Sequence, residues 1–256
     1  MKTKKSHILP GFIIAAIVCL NLFSCARREV IKPELKPYEG HVNMDVLKQS
    51  VGFGDVTSIK AFADVTVFRQ NERQSSLNGI FAYKTPGQMR INLFGPFGLT
   101  ATEILISDEL IQLFVPSRNI LYEGTVPGIS FTRAMNGNFI YEMQEEPDGY
   151  LLVGRSADPG SPVSAIYYFD RLYLLNRIIA IFSNGSGLME TAFSDFNGRV
   201  PERMRLAFAN GLSLDVKLKE PEFDTEVPDT FFRSIEPAGK EVKAFQDVFQ
   251  LFGPGN

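Results

Sequence analysis

From Ile59 to Phe68 the chain keeps a period of two: Ile59, Ala61, Ala63, Val65 and Val67 interleave with Lys60, Phe62, Asp64, Thr66 and Phe68. That period puts alternate side chains on opposite faces of an extended strand, and no helix gathers such residues on one side. The pattern returns in Leu77, Gly79, Phe81 and Tyr83, and in Met89, Ile91 and Leu93 set between Gln88, Arg90 and Asn92. Further strand signals run across 101–107, 110–115, 119–123, 139–144, 150–154, 163–169, 172–182, 188–196, 204–209 and 212–219. Short polar or Pro/Gly breaks separate many of them, among them Thr85-Pro86-Gly87, Pro116-Ser117-Arg118 and Pro147-Asp148-Gly149. Connections this short join antiparallel neighbours, because a parallel crossover needs a dozen residues or more. Asn210-Gly211 predicts a two-residue type I′ hairpin. The chain is therefore expected to be mainly β, an open or half-closed antiparallel barrel of about eleven strands.

Three stretches depart from that period. Asn43 is placed to cap a short helix carrying Met44, Leu47 and Val51, with Asp45 in its first turn. Ile129 to Met135 breaks the alternation and is expected to form a short helix or lid. Val242, Phe245, Phe249 and Phe252 fall at helical spacing and predict one more lid helix near the C-terminus.

The N-terminal residues decide where such a body works. Lys2, Lys4 and Lys5 precede an apolar run from Phe12 to Leu20. That run is far shorter than the roughly 20 residues of a membrane span, and so reads as a signal peptide. Leu22-Phe23-Ser24-Cys25 resembles the lipobox of bacterial lipoproteins. The resemblance implies that residues 1–24 are removed and the Cys25 thiol is acylated. Residues 25–42, punctuated by Pro33, Pro37 and Gly40, then read as a tether, and 43–256 as the barrel domain with a C-terminal extension. Ala26, in place of the aspartate that retains enterobacterial lipoproteins at the inner membrane, implies the periplasmic face of the outer membrane.

Composition fits this address. Of two cysteines, Cys19 lies in the signal and Cys25 takes the lipid, so no disulfide is expected and the core must hold the fold. A 45% apolar content with 22 Phe suffices for that. The net charge of −3, with no concentrated basic face, excludes nucleic acid as a partner.

Catalytic constellations are not legible. The chain beyond the signal has a single histidine, His41, which excludes sites needing two. Glu145 and Glu146 flank a turn, and with Asp229 they do not read as carboxyls held across a cleft. Ser183-Asn184-Gly185-Ser186-Gly187 lies between two strands and precedes no helix N-terminus that would bind phosphate. The chain is expected not to be an enzyme and to need no metal or cofactor.

One loop is anomalous. Hairpin tips face water and are usually polar, yet Phe94-Gly95-Pro96-Phe97-Gly98-Leu99 offers Pro96, Phe97 and Leu99 between glycines. Either Phe97 folds back to plug the barrel end, or the tip is an apolar wedge for a membrane or lipid.

That loop, the lipobox, the capped helix, Phe62-Ala63-Asp64-Val65-Thr66-Val67, Gly79-Ile80-Phe81-Ala82-Tyr83 and Arg90-Ile91-Asn92-Leu93 together resemble the LolB-like outer-membrane lipoproteins. Those proteins and the related periplasmic carrier LolA share an open barrel with a helical lid over an apolar cavity. The resemblance implies a protein that receives lipoproteins from a LolA-like carrier and inserts them into the outer membrane. Phe97 takes the position of the family's loop leucine, and Gly95 that of its asparagine. Ala61, Ala63, Val65, Ile91 and Leu93 would then line a cavity for acyl chains. The alternative is a structural or adaptor lipoprotein of an envelope assembly, using the same barrel without moving cargo.

Overall fold

The computed structural model describes residues 40–248, apart from 52, 54–55, 86, 108–109, 126–138, 158–162 and 183–186. Cys25, the signal peptide and nearly all of the tether therefore lie outside the described residues, as does the expected lid at 129–135. Residues 34–256 form a compact unit of their own, with the described hydrophobic core drawn wholly from them.

One sheet of fourteen strands makes up the body. The first six are β1 (Ser58–Arg69), β2 (Glu72–Lys84), β3 (Gln88–Phe94), β4 (Thr100–Ser107), β5 (Leu110–Val115) and β6 (Ile120–Thr125). A second run comprises β7 (Phe139–Glu146), β8 (Gly149–Ser156), β9 (Val163–Asp170), β10 (Leu175–Phe182), β11 (Gly187–Asn197), β12 (Val200–Phe208) and β13 (Leu212–Phe223), and β14 (Glu241–Ala244) follows. Each run is a meander of antiparallel neighbours. They join where β1 pairs with β13, Ala63 opposite Leu218 and Val65 opposite Val216, so the first strand stands mid-sheet. The sheet does not close: β14 and β7 are its two edges.

Alternation decides which face is buried. Ile59, Ala61, Ala63, Val65 and Val67 are buried and point inward, whereas Phe62 points outward opposite Ile80 of β2. One apolar cluster collects inward residues from β1, β2 and β3, from β13 and β12, and from β9, β8 and β7. Only a curled sheet brings such distant strands onto one core, which gives the open half-barrel. Helix α1 (Met44–Gln49) packs Leu47 into that cluster, and its N-cap forms as expected, the Val46 N–H donating to Asn43 Oδ1 at 3.0 Å.

The sheet corrects the sequence reading in four places. It has more strands than the expected eleven. Leu172–Phe182 is not one strand, because the Asp170 carboxylate accepts from the Leu172 and Leu174 N–H groups and Tyr173 takes φ 60°, which holds a turn until Leu175. The turn at Asn210 is not type I′, since only Gly211 has positive φ; it is a three-residue loop over 209–211. Of the expected C-terminal lid helix, Val242 lies instead in β14 and Phe245 in a 3-10 turn, Phe245–Asp247, while Val248 is helical and Phe249 and Phe252 lie outside the described residues. Val242 and Phe245 are three apart because the chain there rounds a sheet edge, which a helical spacing cannot distinguish.

This C-terminal segment is a strap. Beyond β13, Asp224 accepts from the Thr57 N–H and hydroxyl at 2.8 Å each, and those bonds hold its carboxyl below the usual range. Val227 and Phe232 then bury themselves on the outer face against Ala82 and Leu105. Arg90 donates to the Phe231 carbonyl at 2.8 Å, and the buried Gln112 amide bonds both the Ile235 N–H (2.8 Å) and its carbonyl (3.1 Å). β14 runs parallel to β6, after which Phe245 and Val248 pack on the opposite, inner face with Ile120 and Tyr122. Replacing Gln112 by leucine keeps the volume but leaves two backbone groups of Ile235 unpaired, at a cost of about 1–3 kcal/mol. Hydrogen exchange should then accelerate in 227–248 while the β1–β2 ladder stays protected. Unchanged exchange in the strap would show that the amide does not hold it.

Candidate functional site

The β3–β4 loop carries the most exposed apolar side chain among the described residues. Its neck is closed by the Gly95 N–H donating to the Leu99 carbonyl at 2.8 Å, with the Gly98 N–H reaching the Gly95 carbonyl at 3.3 Å. Pro96 lies on the tip, Phe97 is 100% exposed and Leu99 71%. Phe97 also takes φ 62°, ψ 18°, the left-handed region that costs a side chain with a Cβ about 1–2 kcal/mol. A folding advantage would have to come from packing, and Phe97 has none. The plug reading of this residue is thus excluded by its position, and the loop is a projecting apolar tip. Gly98 follows at φ 74° in open space, where glycine alone is unstrained.

The five residues expected to line a cavity are all on the inner face and all in the main apolar cluster: Ala61, Ala63 and Val65 on β1, Ile91 and Leu93 on β3. Alternation places them there, and they share that face with Phe81 and Tyr83 of β2.

Sequence reading missed the tyrosines opposite them. Tyr141, Tyr150 and Tyr167 face inward from β7, β8 and β9. Tyr150 stacks on Tyr173 with ring centroids 5.4 Å apart, and its hydroxyl accepts from Arg171 at 3.1 Å. The Tyr141 ring lies over Gly154, so close that a Cβ there would stand 2.7 Å from Tyr141 Cε1. Lys48 of α1 covers the same ring, its Nζ 4.7 Å from the centroid. Burial pushes the Tyr141 hydroxyl up to about 12. It raises Tyr167 too, with the neighbouring Tyr141 adding to the effect. Both therefore stay protonated at neutral pH and remain hydrogen-bond donors. Their parity within strands 139–144 and 163–169 was the available signal.

The groups weighed for chemistry are not assembled. Glu145 pairs with Arg171 at 2.8 Å, whereas Asp229 pairs with Lys84, which holds its carboxyl below the ordinary range. His41 is exposed, and Ser183 to Ser186 lie outside the described residues. Among the described residues, no group of three or more His, Cys, Asp or Glu side chains is placed to hold a metal.

No family model matches the chain, and no curated protein does so by sequence. Solved structures do resemble it. A LolA superfamily protein from Nitrosomonas europaea superposes with a TM-score of 0.55 at 10% identity, over 76% of this chain and 99% of its own. An outer membrane lipoprotein-sorting protein domain from Vibrio parahaemolyticus gives 0.55 at 13% identity, over 74% and 94%. A DUF1329 family protein from Desulfovibrio piger gives 0.56 at 13% identity, over 74% and 93%. At such identities the likeness concerns the backbone alone. The fold is of the LolA/LolB type.

Proposed function

We propose that this chain is a lipid-anchored envelope protein that shelters acyl chains on its inner face and helps deliver lipoproteins into the outer membrane. Residues 1–24 are its signal peptide, Cys25 is the acylated anchor, 25–42 the tether and 43–256 the working body. A periplasmic LolA-like carrier is the partner that would hand over cargo. The transfer breaks no bond, so the protein acts without enzymatic chemistry: apolar burial is exchanged between donor, inner face and bilayer.

One observation carries this reading, the fully exposed Phe97 held in a strained conformation at the tip of a glycine-hinged loop. An apolar side chain so placed gains only when something apolar meets it. The lipoprotein-sorting domain from Vibrio parahaemolyticus, similar in fold, lends support.

The test compares Phe97→Ala and Phe97→Glu in lipoprotein transfer to liposomes, with thermal melts alongside. Because the ring packs on nothing, both variants should melt within a degree or two of the parent, consistent with surface changes of about ±0.5 kcal/mol. Transfer should fall severalfold in Phe97→Ala and further in Phe97→Glu, whose charge resists entry into hydrocarbon. Undiminished transfer in both variants would sink the delivery role and favour the adaptor.

A further inference from the structure

The strap delivers the chain onto the inner face. After β14, Phe245 is pressed onto Gly124 of β6, where an added Cβ would lie 2.8 Å from Phe245 Cβ. Val248, helical and only 6% exposed, joins Ile120 and Tyr122 there. One register row crosses this face from Ile91 of β3 to Ile104 of β4, Leu113 of β5 and Tyr122 of β6. Both ends of the row are buried, Ile91 in the main apolar cluster and Tyr122 in the cluster with Val248. Its middle, Ile104 and Leu113, is only partly buried. That strip spans two strands, about 10 Å at ordinary strand spacing. At Val248 the chain thus stands beside an apolar strip that the described residues leave partly open.

The sequence that follows suits the strip. Phe249-Gln250-Leu251-Phe252-Gly253-Pro254-Gly255-Asn256 carries no charged side chain. Phe249 comes four residues after Phe245, and Phe252 four after Val248. A helix continued from Val248 would therefore turn both rings to the side that already faces the sheet. Gly253 and Pro254 would end it.

We propose that residues 249–252 dock on the inner face across Ile104 and Leu113, where an acyl chain would lie, so that tail and acyl chain exclude one another. This rests on the acyl-binding reading above and adds regulation of that site. The empty protein covers its own apolar strip, and cargo gains the strip only by displacing the tail. Because the tail is tethered at Val248, its effective concentration at the strip is on the order of millimolar, so a short contact suffices.

Residues 26–256, which contain the whole compact unit, serve for the test. Dansyl-undecanoic acid is titrated into the parent and into a variant carrying Phe249→Asn and Phe252→Asn. If the tail holds the strip in about 70–90% of molecules, freeing the strip should tighten probe binding about threefold to tenfold. Hydrogen exchange of 249–252 is followed in the parent, which makes it independent of how the variant folds. Those amides should exchange slowly in the free protein and faster once palmitate saturates it. Equal or weaker binding by a variant that melts like the parent overturns the exclusion and leaves acyl binding intact. So does exchange in 249–252 that palmitate leaves unchanged. Slower exchange with palmitate overturns it as well, because the tail would then cover the bound chain rather than compete with it. Should the variant not fold, the exchange alone decides. If neither parent nor variant binds the probe, acyl binding itself fails, and the exclusion with it.

Discussion

Replacing Gly79 by valine will leave little folded protein at 25 °C. Gly79 stands mid-sheet on β2, between Ala63 of β1 and Leu93 of β3. A Cβ at that position would lie 2.2 Å from the Asn92 carbonyl oxygen and 2.9 Å from Leu93 Cδ2. The first contact is with backbone, so no rotamer change relieves it. β3 would have to move by about 1 Å, and its ladder with β2 and β4 would move with it. Overpacking alone costs about 1–3 kcal/mol. Adding broken ladder bonds and the second branch of valine brings the loss to the order of 5 kcal/mol or more, comparable with the whole stability of a typical domain. Gly79→Ala should show the same direction at lower cost. Far-ultraviolet circular dichroism with urea titration measures both. A Gly79→Val protein with a parent-like midpoint would mean that β3 has slack the close packing denies.

The second large effect concerns the anchor. Two acyl chains of about sixteen carbons bury enough methylene to contribute on the order of 20 kcal/mol. Phe97 and Leu99, fully inserted, would contribute about 1.5–3 kcal/mol each. A lipid on Cys25, as proposed, would therefore decide where the protein resides, and the loop only what happens there. Among the described residues no helix is long and apolar enough to cross a membrane. Exchanging residues 1–25 for a signal that is cleaved without acylation should accordingly release nearly all of the protein from the membrane fraction. Phe97→Glu made in the acylated protein should leave fractionation unchanged. If the unacylated form still pellets with membranes in high salt, Cys25 is not the anchor.

Much of this architecture was legible beforehand, for a reason visible at particular residues. The alternation from Ile59 to Val67 survives because β1 is buried on one face and wet on the other, so each side chain had only one acceptable side. Asn43 was readable because a cap is a local bond between neighbours. The 94–99 loop announced itself by being apolar where water is expected. What escaped was non-local. Nothing near Val242 indicates that β6 is its neighbour, and nothing near Tyr141 reveals that its ring covers Gly154 of the next strand. Such facts depend on which distant strand lies alongside, and period alone does not carry that information.

The pairing of β1 with β13 imposes an order on assembly. Ile59 lies opposite Phe223, so a strand near the beginning of the body has one neighbour almost at once and must wait for the other until nearly all the chain is available. The first meander can gather by local hairpins, but until β13 docks, β1 offers unpaired backbone groups beside an apolar face, the template on which unwanted strands add. Such long-range pairing is slow because the loop must be closed before its contacts are gained. If the chain is exported as proposed, from its N-terminus, the vulnerable interval would be the whole passage of the second meander. The seam that makes the finished half-barrel continuous is thus also what makes its folding an all-or-nothing event late in biogenesis.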